Sequence, residues 1–262
     1  GASGTGGSAG SGNGGSSGGG TGGTGGTGGG GGTGGSGGTG GSGGTGGTGG
    51  GGGTGGTGGT GGSPAYSHTI TVGSGNDFNV ANEAFPTTST GFTGYISWDA
   101  TNVYVGMEGS DIGAAAANRF LLVYIGGNPG TTAGHLYNTQ QPTLAFSARW
   151  LVAWKLDGSY KEVREWSGSA WTTASWTLDH VVRSGSLVEA AIDRQDLGYP
   201  SKLSIHLSMI NETNGAEGTF AGVPSTSWVT DGHDKDYSKY FQFDLTSSKI
   251  PNTYAQIGRA HV

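Results

Sequence analysis

The sequence contains no cysteine, so disulfides, thiolate metal sites and thiol nucleophiles are excluded at the outset. It has no excess of positive charge either. Twelve Lys and Arg stand against 18 Asp and Glu, a formal net charge of −6, and no basic face advertises nucleic-acid binding. No run approaches the roughly 18 apolar residues that a membrane-spanning helix needs. There is no signal peptide, but the chain begins at Gly1 rather than Met, so that absence excludes nothing. The most lopsided absence is local: residues 1–62 have no charged, aromatic or proline residue and nothing larger than Thr or Asn. They hold 41 of the 61 glycines, with 11 Thr, 7 Ser, 2 Ala and 1 Asn. Such a stretch cannot bury enough apolar surface to offset the entropy of ordering its backbone, and it is expected to be a disordered linker.

The tract repeats Thr-Gly-Gly and Ser-Gly-Gly with a period near three. Collagen also needs Pro-rich partners between its glycines, so a triple helix is excluded. A flexible linker of this length has an r.m.s. span of roughly 40–47 Å. It resembles the tethers that follow the lipidated residue of bacterial surface lipoproteins. That likeness implies an extracellular or cell-surface location, with membrane contact only through a lipid anchor beyond the sequence. A linker between two domains of a larger enzyme is the other reading. At the far end, Ile257, Gly258, Arg259, Ala260, His261 and Val262 look like a translated short-read sequencing adapter, and Gln256 supplies a codon that fits the preceding bases. A natural frayed tail is the alternative. Setting this hexapeptide aside removes Arg259 and moves the charge from −6 to −7.

Residues 63–256 remain as one domain, large enough for a substantial core. Its pattern is of short strands with turn punctuation. Tyr66–Val72 alternates Tyr66, His68, Ile70 and Val72 against Ser67, Thr69 and Thr71. Tyr95–Trp98 and Val103–Met107 flank a short hairpin loop, with Val103, Val105 and Met107 on one face and Tyr104, Gly106 and Glu108 on the other. Phe120–Ile125 is apolar on both faces, which predicts a central strand. Trp150–Leu156 turns at Asp157-Gly158 into Tyr160–Trp166, and Trp171 follows a further turn. Leu187–Ile192, Leu203–Ile210 and Tyr240–Leu245 complete nine or ten strands. Only Ile112–Asn118 reads as a helical turn. The class expected is all-β: a two-sheet antiparallel β-sandwich, jelly-roll or immunoglobulin-like, behind the Gly-rich tail.

The run from Gly94 to Asp111, GYISWDATNVYVGMEGSD, resembles the "W-D-x-x-x-L-Y-V…D" segment of DOMON-like sandwiches. These include the family-nine carbohydrate-binding modules and the C-terminal module of glucodextranase. The run from Gly185 to Gly198, GSLVEAAIDRQDLG, is similar to their "G-x-x-E-x-A-I-x-x-x-x-L-G" strand and turn. Asp77-Phe78 fits the "D-x-W/F" near their start, although it follows Gly73-Ser74-Gly75-Asn76 rather than the usual Asp-Gly pair. The resemblance spans about residues 66–245. It implies a jelly-roll-like sandwich that binds sugars; some relatives bind haem instead. Met107 and Met209, both at alternating strand positions, read as core rather than as haem ligands.

Each chemistry-bearing residue has a plain structural reading beside the functional one. Trp98 is expected in the core, with Asp99 accepting backbone N–H groups in the hairpin turn. Glu189 is expected to reach a turn or an Arg such as Arg119 or Arg149. Trp150 and Trp154 read as core, whereas Trp166, Trp171, Trp176 and Trp228 lie near turns. A sugar site needs flat aromatic faces with polar groups for hydroxyls. Trp228, Asp231 and His233 are therefore candidates for one end of it, with Trp171 or Trp176 as a second platform. The same tryptophans could equally close the ends of the sandwich. Asp231, Asp234 and Asp236 have a loop spacing compatible with Ca²⁺ but lack the full D-x-D-x-D-G…E pattern, and a solvated acidic loop is the simpler reading. No metal or other cofactor is expected.

No nucleophile elbow, zinc-protease helix, P-loop or dinucleotide fingerprint is present. His68, His135, His180, His206 and His233 are scattered, and His206 alternates with Ser204 and Ser208 as if on a solvent-facing strand surface. The sequence thus predicts a non-catalytic module whose partner is a polysaccharide or cell-surface glycan, with no nucleic acid. A structural cell-envelope domain without a small ligand is the alternative.

Overall fold

The computed structural model describes residues 63–259 except 115, 138, 214, 215 and 234. The disorder expected of residues 1–62 and the last three residues of the adapter-like hexapeptide lie outside the described residues. After an extended segment comes a single helical turn, α1 (Val80–Glu83), then β1 (Ala84–Pro86), β2 (Phe92–Trp98) and β3 (Asn102–Gly109). A 3-10 turn at Ala116–Asn118, within the expected helical stretch, leads to the long strands β4 (Arg119–Ala133) and β5 (Thr143–Lys155). There follow β6 (Lys161–Trp166), β7 (Trp171–Thr173), β8 (His180–Ser184), β9 (Leu187–Asp193) and β10 (Lys202–Thr213). The last are β11 (Ala216–Val223), β12 (Lys239–Asp244) and β13 (Gln256–Gly258). Thirteen strands are thus described where nine or ten were expected.

They form two antiparallel sheets, as the sequence pattern predicts. The smaller has the order β1-β2-β3-β9-β8; the larger runs β13-β12-β10-β4-β5-β6-β7, with β11 pairing β10 beside this path. β13 sets Ile257 opposite Tyr240, so part of the adapter-like hexapeptide extends the sheet edge. β4 is central, with β10 and β5 as neighbours, because both of its faces are apolar. Leu121, Val123 and Ile125 point into the space between the sheets. Phe120, Leu122 and Tyr124 join a second cluster on the other face. The main core is closed from the smaller sheet by Ile96, Trp98, Val103, Val105, Met107, Val188, Ala190 and Ile192. Each large side chain buried here contributes about 1.5–3 kcal/mol of apolar transfer free energy. Trp98 is fully buried, and Trp150 and Trp154 are nearly so.

The hairpin reading of Asp99 holds. Its Oδ1 accepts the N–H groups of Thr101 and Asn102, both at 2.7 Å, and its Oδ2 accepts the hydroxyls of Thr69 and Tyr104. Burial opposes the charge, but these donors outweigh it and hold the carboxyl below the usual range.

Two expectations need correction, and a third leaves one of its alternatives standing. Tyr66–Val72 forms no strand; instead Ile70 and Phe78 cover the outer face of the smaller sheet, where Phe78 stacks on Tyr95 at 5.0 Å. A Cβ on Gly106 would come within 2.9 Å of the Phe78 ring, so glycine is required for this close cover. The segment is fastened by Glu83, a fully buried carboxylate. Glu83 accepts the Ser97 hydroxyl at 2.5 Å, the Asn79 N–H at 2.6 Å and the Tyr66 hydroxyl, and lies 2.8 Å from His68 Nδ1. Second, Glu189 meets neither arginine but accepts the Gly73 N–H at 2.9 Å, so of the two alternatives the turn is correct. Third, His206 is not on a solvent face. It is fully buried, stacked 4.2 Å from Tyr237, with Nε2 3.0 Å from the Ser227 hydroxyl. Burial pushes its pKa down to about 3. Polar alternation misread this strand because loops cover its outer face.

Candidate functional site

The five residues singled out from the sequence do not form one site. Trp228 and Asp231 do meet: the indole Nε1 donates to Asp231 Oδ1 at 3.1 Å. Trp228 is only partly exposed, however, with its ring 5.4 Å from Tyr237 and 5.8 Å from His206. It also presses on Gly222, where a Cβ would come within 2.1 Å of the indole. His233 Nδ1 is 2.9 Å from the carbonyl of Glu217. Trp171 packs at the other side of the outer-face cluster, edge-on to Tyr124, His135 and Trp166, and donates to the Ala133 carbonyl at 3.0 Å. Trp176 packs against the main core and borders a separate hollow with Asp179, Asp193 and Asp196. No tryptophan is among the large hydrophobics that stand exposed. Of the loop carboxylates weighed against Ca²⁺ spacing, Asp231 also accepts the Ser89 hydroxyl and Asp236 accepts the Thr143 N–H, while Asp234 lies outside the described residues.

Asp231 opens instead onto a cleft of about 740 Å³ that the sequence did not single out. Its walls are the 88–92 segment, Asp111, Arg119 at the start of β4, Asn211 on β10, Gly218–Phe220 on β11 and the 230–232 turn. Register brings its polar centre together. Arg119 lies directly opposite Asn211 across the β4–β10 ladder, and its Nη1 donates to the Asn211 side-chain oxygen. Arg119 Nη2 and Nε both reach Asp111 Oδ2, at 2.9 and 3.3 Å. The guanidinium lies over the Phe220 ring, 5.1 Å from its centroid, and Phe220 in turn meets Phe92 edge-on at 5.3 Å.

The backbone around Phe220 is irregular for a reason. β11 slips against β10 between Leu207 and Met209, and Ala221 takes φ 50°. A left-handed alanine carries strain of about 1–2 kcal/mol. Here it is held by Ser89, whose hydroxyl accepts the Ala221 N–H at 2.6 Å, and by Thr88, whose hydroxyl accepts the Gly222 N–H at 2.8 Å. The result is a half-buried aromatic face carrying a fixed guanidinium, with Asp231 exposed at the rim. That combination can stack on an apolar ring face and exchange hydrogen bonds with several hydroxyls at once. Only Asp231 had a signal in the sequence; Arg119 was weighed as a partner for Glu189, and Asn211 and Phe220 had none. Among the described residues no group of three His, Asp or Glu sits together as a metal site. The chain matches no family model, no curated protein and no solved structure.

Proposed function

We propose that this domain is a non-catalytic carbohydrate-binding module of an exported or surface-tethered protein, and that the Arg119 cleft is its sugar site. The observation that carries the reading is the Arg119 guanidinium, laid on Phe220 and tied to both Asp111 and Asn211. A planar donor that cannot swing away keeps its remaining N–H groups in one orientation, which suits the fixed hydroxyls of a sugar ring. Phe220 offers the apolar contact, and Asp231 an acceptor. The motifs between Gly94 and Gly198 that resemble DOMON-like sandwiches support the same reading.

The test is retention on insoluble polysaccharides together with a glycan array. Phe220→Ala should weaken retention about tenfold, the loss of one stacking contact of about 1.4 kcal/mol, with most of the thermal stability kept. Trp228→Ala should do the opposite, lowering stability by about 1–3 kcal/mol through the lost packing on Tyr237 and His206. A glycan retained equally by wild type and Phe220→Ala removes the cleft from the proposal. The second reading, a structural envelope domain without a small ligand, is favoured by the burial of the tryptophans against other side chains. Failure to bind any glycan on the array would select it.

A further inference from the structure

The larger sheet is broken at a second place. Ile125 pairs with Trp150 and Gly126 with Ala148, which leaves Arg149 without a partner as a β-bulge. Gly126 and Thr131 both face Ala148, so residues 127–130 loop out of β4. The excursion requires glycine: a Cβ on Gly127 would come within 2.7 Å of Arg149 Cβ and of the Trp150 ring. Between this loop and the outer-face residues of β10 and β12 lies a cleft of about 580 Å³, bordered by Arg149, Lys202, Ser204, Tyr240 and Gln242. Arg119 and Gly126 mark the two clefts on β4. Seven residues at a strand rise of about 3.3 Å place them about 23 Å apart.

The charge of this cleft is unlike the rest of the molecule. The chain carries 18 acidic residues against 12 basic ones, yet two cations and no carboxylate border it. Arg149 is neutralised from behind by Glu165 at 2.6 Å and donates to the Asn128 carbonyl. Lys202 is exposed and makes no ion pair among the described residues. Asp244, its partner in register, accepts the Thr246 hydroxyl and backbone N–H, and these together with the charge of Lys202 hold its carboxyl below the usual range. Beside them Gln242 donates to Ser204 at 3.1 Å, and Tyr240 stacks on Phe146 at 4.9 Å. The wall beyond is formed by Leu197, Gly198 and Pro200.

We propose that this cleft binds an acidic sugar, with the carboxylate of a uronic acid residue at Lys202 and the sugar ring against the Tyr240 side. The site is distinct from the Arg119 cleft and does not depend on it. Titration of the full chain with tetragalacturonate, followed by calorimetry, tests it. Wild type should bind, and binding should weaken as salt rises and shortens the screening length to about 8 Å at 0.15 M. Lys202→Gln should weaken it about tenfold by removing one charge-assisted contact. Phe220→Ala in the other cleft should leave tetragalacturonate affinity unchanged. No binding by wild type, or a Lys202→Gln variant that binds as wild type does, would overturn the proposal. Equal affinity for a tetraglutamate peptide would overturn the sugar assignment, because the cleft would then recognise charge alone.

Discussion

The two clefts stand on the same sheet and are built by the same device, a broken β-ladder, yet they use charge differently. At the Arg119 cleft the cation is tied to Asp111 and Asn211 and laid on Phe220. At the other, Lys202 is exposed and makes no ion pair within 4 Å among the described residues, with the Asp244 carboxylate across the ladder sensing its charge. A tied guanidinium exerts little field at a distance but presents donors in a fixed direction, so it selects by geometry. An unpaired ammonium attracts anions over a screening length but orients them weakly. A bulge serves both, because it turns a side chain off its regular face and leaves backbone open beside it.

The comparison can be tested at decreasing strength. The core that supports both clefts is expected to fail first: Trp98→Ala should cost about 3–5 kcal/mol of stability, measured by chemical denaturation. The protein that remains folded should keep both of the proposed binding activities; selective loss of one would show that Trp98 shapes that cleft rather than the common core. Acid should act next. His206 lies on β10 between Ser204 of one cleft and Asn211 of the other. Burial holds it neutral, with a folded pKa of about 3, below its unfolded value. The unfolded chain therefore takes up the proton first. This contribution to stability is present above about pH 6.5 and is lost as pH falls toward 3, by up to about 1.4 kcal/mol per pH unit. A His206→Gln variant should show a shallower loss between pH 7 and pH 4.5 than wild type, and an unchanged slope would assign the acid lability to other groups.

The ionic contrast itself is sharpened by paired substitutions. Arg119→Leu should cost about 1 kcal/mol, because it strips Asp111 and Asn211 of a partner in a partly exposed network. Lys202→Gln should change stability by no more than about 0.5 kcal/mol. Equal costs in thermal melts would erase the distinction between a tied and a free cation. The smallest effect is expected from the tail. A chain beginning at Ser63 should melt at the same temperature as the full chain and keep both clefts, since residues 1–62 carry nothing larger than Thr or Asn to pack. A clear loss of stability would show that the tail contacts the domain.

Legibility followed locality. The β2–β3 hairpin, the Asp99 turn and the two-faced β4 were readable because each depends on neighbours two to six residues away in sequence. The cover formed by Ile70 and Phe78 was misread because an extended alternating segment looks the same whether it pairs with a strand or lies over a sheet. His206 was misread because its serine neighbours suggest solvent, while the residues that bury it, Ser227, Trp228 and Tyr237, are about 20 to 30 positions away. At the Arg119 cleft, Asp231 had a local signal in its polar loop. Arg119, Asn211 and Phe220 are unremarkable strand residues until register sets them together.

By itself the sequence determined the all-β class and the identity of the core tryptophans. Those follow from composition and from a side-chain period of two, which act within a few residues. Only the tertiary structure decided where the ladders break, which cation is paired and which is left open, and that the loop tryptophans pack rather than stand exposed. Bulges and ion pairs join groups about 10 to 90 residues apart, and such contacts depend on strand order and register, which no local pattern records.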